Sequence, residues 1–197
     1  MELAIEPNVE HNDIIRELLR QMEEHSTGEA GHAERVAVYS VAVGERLGMS
    51  QQELVHLRMA AQLHDVGKIQ VDRDLLRKIG KLSADEVIEL RQHAHRAKKV
   101  VESLTWLKPA IPMMVYHHEW WDGTGYPDGL TGEGIPIGAR IIAVAEAFDA
   151  MIAGVGWREP VSEEDALKEI KRCSGSAYDP KVVTAFFTVQ PLIQPVV

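Results

Sequence analysis

SQQELVHLRMAAQLHDVGK, residues 50–68, opens with the Ser-x-x-Glu spacing of a capping box and closes on an adjacent His64-Asp65 pair with Gly67 just beyond. The Ser50 hydroxyl and the Glu53 carboxylate can satisfy the backbone N–H groups that a first helical turn leaves free. Leu54, Leu57, Ala60 and Ala61 then recur at helical intervals. The spacing predicts a helix from about Gln51 to the His64-Asp65 pair, with Gly67 near its end. Imidazole and carboxylate are the usual protein ligands for zinc, manganese or iron, and a carboxylate can bridge two ions.

Working outward, residues 31–47 mix Val36, Val41, Val43 and Leu47 with charged Glu34, Arg35, Glu45 and Arg46, a helix packed on one side and stopped by Gly48. Ser83-Ala84-Asp85-Glu86 repeats the capping pattern, and no Gly or Pro interrupts the chain to about Leu104, which predicts one long helix carrying His93. Ile111 to His118 is a further segment, entered through Pro109 and Pro112, that ends on two adjacent histidines. The stretch from Glu119 to Pro136 is rich in Gly and Pro and reads as a long loop of a functional kind. Ile137 to Ala153 is apolar nearly all round, a buried helix in which Arg140, Glu146 and Asp149 need partners. Ser162 caps a helix to about Lys171, and Asp179-Pro180 opens a last one to about Phe187. With no alternating strand, the fold class is all-α.

The 197 residues suit one domain, preceded by a short helical extension over residues 1–25. A net charge of −9 argues against a basic surface for duplex nucleic acid or anionic lipid. The lone Cys173 cannot form an internal disulfide, the opening MELAIEPNVEHND turns acidic too soon for a secretory leader, and no uncharged run reaches the roughly 18 to 20 residues of a membrane span. These features together point to a cytoplasmic protein without membrane partners.

Nine histidines are the unusual feature, most of them inside helical segments. His32-Ala33-Glu34-Arg35-Val36, Leu63-His64-Asp65-Val66-Gly67-Lys68, Lys78-Ile79-Gly80-Lys81-Leu82, His93, His117-His118-Glu119 and Asp122-Gly123-Thr124-Gly125-Tyr126-Pro127 follow one another along the chain. This succession resembles the motifs of the HD-GYP family, a branch of the HD metal-dependent phosphohydrolases, over about residues 26 to 188. The resemblance implies an all-helical HD-type bundle at residues 26–190 with an exposed Gly-rich loop. It also implies a phosphodiesterase that hydrolyses cyclic di-GMP to the linear dinucleotide pGpG.

By the same resemblance His32, His64, Asp65 and Glu146 hold one metal ion, and Asp65 bridges to a second held by His93, His117 and His118. Iron or manganese is favoured, with zinc, nickel and magnesium compatible. Asp65 and Lys68 are the catalytic pair, with Lys68 also binding substrate phosphate; its alternative is a solvated lysine at a helix end. Arg158 and the Gly125-Tyr126-Pro127 segment complete the substrate contacts. Trp120, Trp121 and Tyr126 offer faces for a guanine base, for a partner's pocket or for packing under the loop. The loop also implies a signalling partner such as a diguanylate cyclase.

Three positions depart from the family pattern. Gly28 stands where members with three ions carry a glutamate, so two ions are expected, with Glu29 as the substitute ligand if the helix extends that far back. Replacing Gly28 by Glu is expected to relieve a helix-unfavourable glycine. Glu146 replaces an aspartate and lengthens the arm by one methylene. Val155-Gly156-Trp157-Arg158 replaces an Arg-Pro-Tyr-Arg segment, which removes one phosphate-clamping arginine. These departures keep two rivals open: a phosphohydrolase of another nucleotide, and a degenerate domain that signals by binding nucleotide or protein.

Overall fold

The computed structural model describes residues 9–154 and 159–193, and among these the fold is all-helical. In order come α1 (Val9–His25), α2 (Glu29–Arg46), α3 (Gln51–Gln62), a 3-10 turn (Val66–Gln70), α4 (Arg73–Leu76), α5 (Ala84–Arg91) and α6 (His93–Val101). α7 (Ile111–Val115), α8 (Ile137–Ala153), α9 (Glu163–Arg172) and α10 (Pro180–Val189) follow. An isolated bridge between Ser174 and Tyr178 is the one β-type pairing among the described residues.

The expected caps form. Ser50 accepts from the Glu53 amide while the Glu53 carboxylate accepts from the Ser50 amide at 2.8 Å, and Ser83 with Glu86 does the same at 2.7 Å. Ser162 caps α9, and Asp179 caps α10 ahead of Pro180.

α2 lies centrally, packed on α1, α3, α8 and α10. Its Ala33, Val36, Ala37 and Val43 are buried, and the two alanines let neighbouring backbones come close. On α8 the side chains of Ile141, Ile142, Val144, Ala145 and Phe148 are fully buried, as an apolar helix requires. Tyr39 and Phe186 both meet Phe148 edge to face, with ring centroids 5.3 and 5.2 Å away. Full burial of a ring of this size is worth about 1.5–3 kcal/mol. α1 adds Ile15, Leu19 and Met22 to the same core, so the junction at residues 25 and 26 is a helix boundary within one packed unit.

Three helices are shorter than the sequence suggests, and for one reason. α3 ends at Gln62, leaving His64 and Asp65 in the turn that follows. The expected helix from Ser83 to Leu104 is two helices that meet at Gln92. α7 ends at Val115, ahead of His117. In each case a histidine ring nitrogen Nδ1 lies against the carbonyl three residues back: His64 on Ala61 at 2.8 Å, His93 on Leu90 at 2.7 Å, His117 on Met114 at 2.6 Å. A continuous helix would give those carbonyls to the amides of Asp65, Ala94 and His118. The side chain takes the acceptor, and the helix ends or breaks there.

Candidate metal centre

Those three contacts also orient the rings. A carbonyl only accepts, so Nδ1 carries a hydrogen in each ring and Nε2 faces the centre, bare wherever the ring is neutral. The Nε2 atoms of His64 and His117 are buried and have no hydrogen-bond partner, and neither does Asp65 Oδ1. Buried acceptors without a partner cost free energy unless a cation meets them.

The acceptors converge on Asp65. His64 Nε2 is 3.2 Å from Asp65 Oδ2, and His93 Nε2 is 3.2 Å from Asp65 Oδ1. His117 Nε2 lies 4.0 Å from the same Oδ1. Two groups with ligand atoms within 4.8 Å of one another share this carboxylate: His32, His64 and Asp65 on one side, Asp65, His93, His117 and His118 on the other. Glu146 falls in a third group with His64 and His117, its Oε2 3.9 Å from His117 Nε2 and 3.9 Å from His118 Nδ1. The longer arm therefore reaches between the two sides instead of joining the His32 side alone. All seven sequence-predicted ligand positions come together, from α2, the turns after α3 and α7, the start of α6, and the middle of α8.

The electrostatics suit a cation. Burial would raise Asp65, but the ammonium of Lys68 and the ring of His64 outweigh it and hold the carboxyl well below its usual range. Burial works to lower His64, and the adjacent Asp65 carboxylate overrides it, raising the ring to about 9. Burial and then the neighbouring imidazoles push His117 and His118 well down, so both are neutral donors. Burial also raises Glu146. His117 and His118 offer bare nitrogens, a cation that displaces the His64 proton meets a third, and imidazoles gathered around carboxylates are the donor chemistry of zinc, manganese, iron or nickel.

Lys68 stands at the edge of this set. One 3-10 repeat places it over Asp65, with Nζ 2.7 Å from Oδ2, and it also reaches Glu29 Oε1 at 2.9 Å. Glu29 is the first residue of α2 and is buried, and its Oε2 has no partner. Gly28, just before it, has a φ of +93° and is the N-cap, outside the helix. A side chain there would be forced into the left-handed region, so the expected gain from Gly28→Glu is reversed. A cleft of about 600 Å³ opens on the site, lined on its polar side by Glu29, His32, Arg35, Asp65, Lys68 and Glu146. Leu75, Leu76, Leu82 and Leu90 form an apolar wall.

The Gly-rich loop reaches the site from the other side. Gly125, Tyr126 and Pro127 lie outside the lining of that cleft. The Tyr126 ring stacks on His118 at 4.7 Å, and the Arg91 guanidinium covers its other surroundings at 4.8 Å from the ring centroid. Gly125 is a glycine for space: a Cβ there would stand 2.2 Å from the Trp120 amide nitrogen. Trp120 is 47% exposed, and Trp121 sits near the Arg140 guanidinium at 5.7 Å. Arg158, and Val155 to Trp157 before it, lie outside the described residues.

Two contributors were named in the sequence without a role at the site. Glu119 Oε1 accepts from the amides of Asp128 and Gly129 at 2.7 and 2.9 Å, pinning the loop. Asp149 lies beside His32 and Arg35, fully buried; burial would raise it, and hydrogen bonds from those two residues hold it below its ordinary value. The available signal was an acid in an apolar helix, one turn after Glu146, in need of a partner.

Comparison with known proteins gives the family. The HD domain family matches residues 14–182. A cyclic di-GMP phosphodiesterase of Thermotoga maritima is 35% identical over 192 residues, covering 92% of this chain and 51% of its own length. A 3'3'-cGAMP-specific phosphodiesterase of Vibrio cholerae is 32% identical over 173 residues, covering 87% of this chain and 33% of its own. A solved cyclic GMP-AMP specific phosphodiesterase from V. cholerae superposes with a TM-score of 0.70 at 22% identity, covering 91% of this chain and 48% of that one. The chain thus spans about half the length, or less, of the curated relatives it matches.

Proposed function

The chain belongs to the HD domain family, on its HD-GYP branch, and from that premise we propose that it is a metal-dependent phosphodiesterase that hydrolyses cyclic di-GMP to linear pGpG. The observation that carries this reading is the single Asp65 carboxylate shared by two groups of histidines. His32, His64, Asp65, His93, His117, His118 and Glu146 would hold two divalent ions, iron or manganese by preference. Such ions, when bound, supply Lewis acidity toward phosphoryl oxygens and make water acidic enough to attack near neutral pH.

The chain's own residues do the rest. Asp65 fixes the centre, and the carbonyl-anchored rings present preset lone pairs that need no reorganisation. Lys68, at the edge of the cleft, takes a non-bridging oxygen of the scissile phosphate and offsets the charge that develops there. The leucine wall excludes water from one side of the bound nucleotide. Glu119 holds the loop so that Tyr126 stays packed on His118 and shields that flank.

A second substrate has its own support: mixed cyclic GMP-AMP, on which the V. cholerae relative acts by its description. Exposed Trp120 supports a signalling-protein partner at the loop, and the metal-ligand groups all fall within residues 26–190. Among the described residues no helix is long and apolar enough to cross a membrane, in keeping with a cytoplasmic site of action. The test is elemental analysis of anaerobically purified protein, with chromatography of products from cyclic di-GMP, cyclic GMP-AMP and linear dinucleotides. Two ions per chain and accumulation of pGpG are expected. A metal-loaded protein that cleaves none of these would leave the binding-module reading in its place.

A further inference from the structure

The function proposed above gives no task to the Arg35 guanidinium, which lines the cleft, or to the buried Asp149 carboxylate behind it. Asp149 Oδ2 lies 2.7 Å from His32 Nδ1. Arg35 spans the same carboxylate, with Nε 2.7 Å from Oδ1 and Nη2 2.9 Å from Oδ2. His32 is thereby set apart from His64, His93 and His117, whose Nδ1 atoms rest on backbone carbonyls. A carboxylate backing an imidazole fixes which ring nitrogen is bare and raises the basicity of that nitrogen.

Arg35 lies one turn after His32 on the same face of α2, and its side chain is 30% exposed at the cleft. Its third nitrogen, Nη1, makes no hydrogen bond among the described residues and passes beside Gly31, 3.4 Å from where a Cβ would stand. A larger residue at 31 would crowd that edge. The guanidinium is thus held by two bonds with one edge turned to the cleft, a geometry suited to a phosphate oxygen.

We propose that Asp149, clamped by Arg35, is a positioning residue that sets the tautomer and direction of His32, while the free edge of Arg35 binds a phosphate oxygen of the substrate. This rests on the metal-dependent reading of the site. It also supplies a guanidinium contact in a chain that lacks the first arginine of the segment at residues 155–158.

The experiment uses the full chain with ¹⁵N-labelled histidine. In metal-free parent protein, at a pH alkaline enough for neutral imidazole, the His32 signals should show the Nδ1–H tautomer. Asp149→Asn should blend the tautomers, and in a Mn²⁺ titration should weaken one of the two ions about ten- to a hundredfold while leaving the other unchanged. Arg35→Ala changes a partly exposed residue and should loosen the tautomer less, while lowering inorganic phosphate affinity of the Mn²⁺-loaded protein about tenfold; Arg35→Lys should recover only part of that loss. Parent-like His32 signals and Mn²⁺ affinities in Asp149→Asn would overturn the positioning role, and parent-like phosphate binding in Arg35→Ala would overturn the contact. If Asp149→Asn does not fold, the His32 signals of Arg35→Ala decide the positioning role. A parent protein that takes up no Mn²⁺ would overturn the metal reading, whereas the tautomer in the metal-free chain still decides the role of Asp149.

Discussion

Lys68 Nζ stands 2.9 Å from Glu29 Oε1, and that contact joins the turn carrying the shared carboxylate to the first residue of α2. Burial would lower the Lys68 ammonium, but Asp65 and then Glu29 hold it well above its ordinary value, so it stays charged throughout the working range of pH. A permanent cation at the edge of the cleft is suited to phosphate.

Lys68→Ala should therefore leave the metal complement intact and reduce nucleotide affinity or turnover. Charge-assisted hydrogen bonds are worth about 1.5–3 kcal/mol, so a loss of roughly ten- to a hundredfold is expected. Kinetics and elemental analysis on the same preparation check both halves. Loss of metal from this variant would make Lys68 a structural support of Asp65 instead.

Asp65→Ala should remove both ions at once, because both donor groups share that side chain. The caps and the aromatic core are untouched by the change, so the far-ultraviolet circular dichroism should stay helical. A variant that keeps its full metal content would break the dinuclear assignment.

Gly28→Ala and Gly28→Glu should both destabilise the protein, by about 1–2 kcal/mol for a residue held in the left-handed region. Chemical denaturation reads this directly. Equal or greater stability would mean that α2 extends through residue 28. Metal counting on the parent protein also bears on Glu29: its unpartnered Oε2 makes it the substitute ligand if three ions are found.

Gly125→Ala should cost about 1–3 kcal/mol, since the new methyl group meets the Trp120 backbone and the loop must shift. The same shift would lift Tyr126 from His118. A fall in melting temperature with a change in tyrosine fluorescence is the expected result, and an unchanged melting temperature would count against the tight loop crossing.

The helix starts were legible in the sequence because caps are local: Ser50, Ser83, Ser162 and Asp179 each act within a few residues of themselves. α8 was legible in full, since an apolar stretch of that length has few alternatives. The ends of α3, α5 and α7 were not. They depend on which acceptor a histidine ring chooses, and that choice is made by the whole site. The ligand positions could be named from motif and residue type, but Glu146 grouping with His117 required knowing where a longer arm reaches. Asp149 and Arg35 escaped because a lone acid in a helix says only that it needs a partner, and its partners lie 117 and 114 residues away.

The carbonyl anchors of His64, His93 and His117 bear on how this site tolerates mutation. Every residue type brings a main-chain carbonyl, so replacing Ala61, Leu90 or Met114 alters packing but cannot delete the group that steers the ring. Three quarters of the anchored imidazole frame is therefore insulated from sequence drift. His32 is steered by a side chain instead, and a single substitution at residue 149 can undo it. Divergent copies of this chain should lose the aim of His32 first, while the other three rings stay turned to the centre.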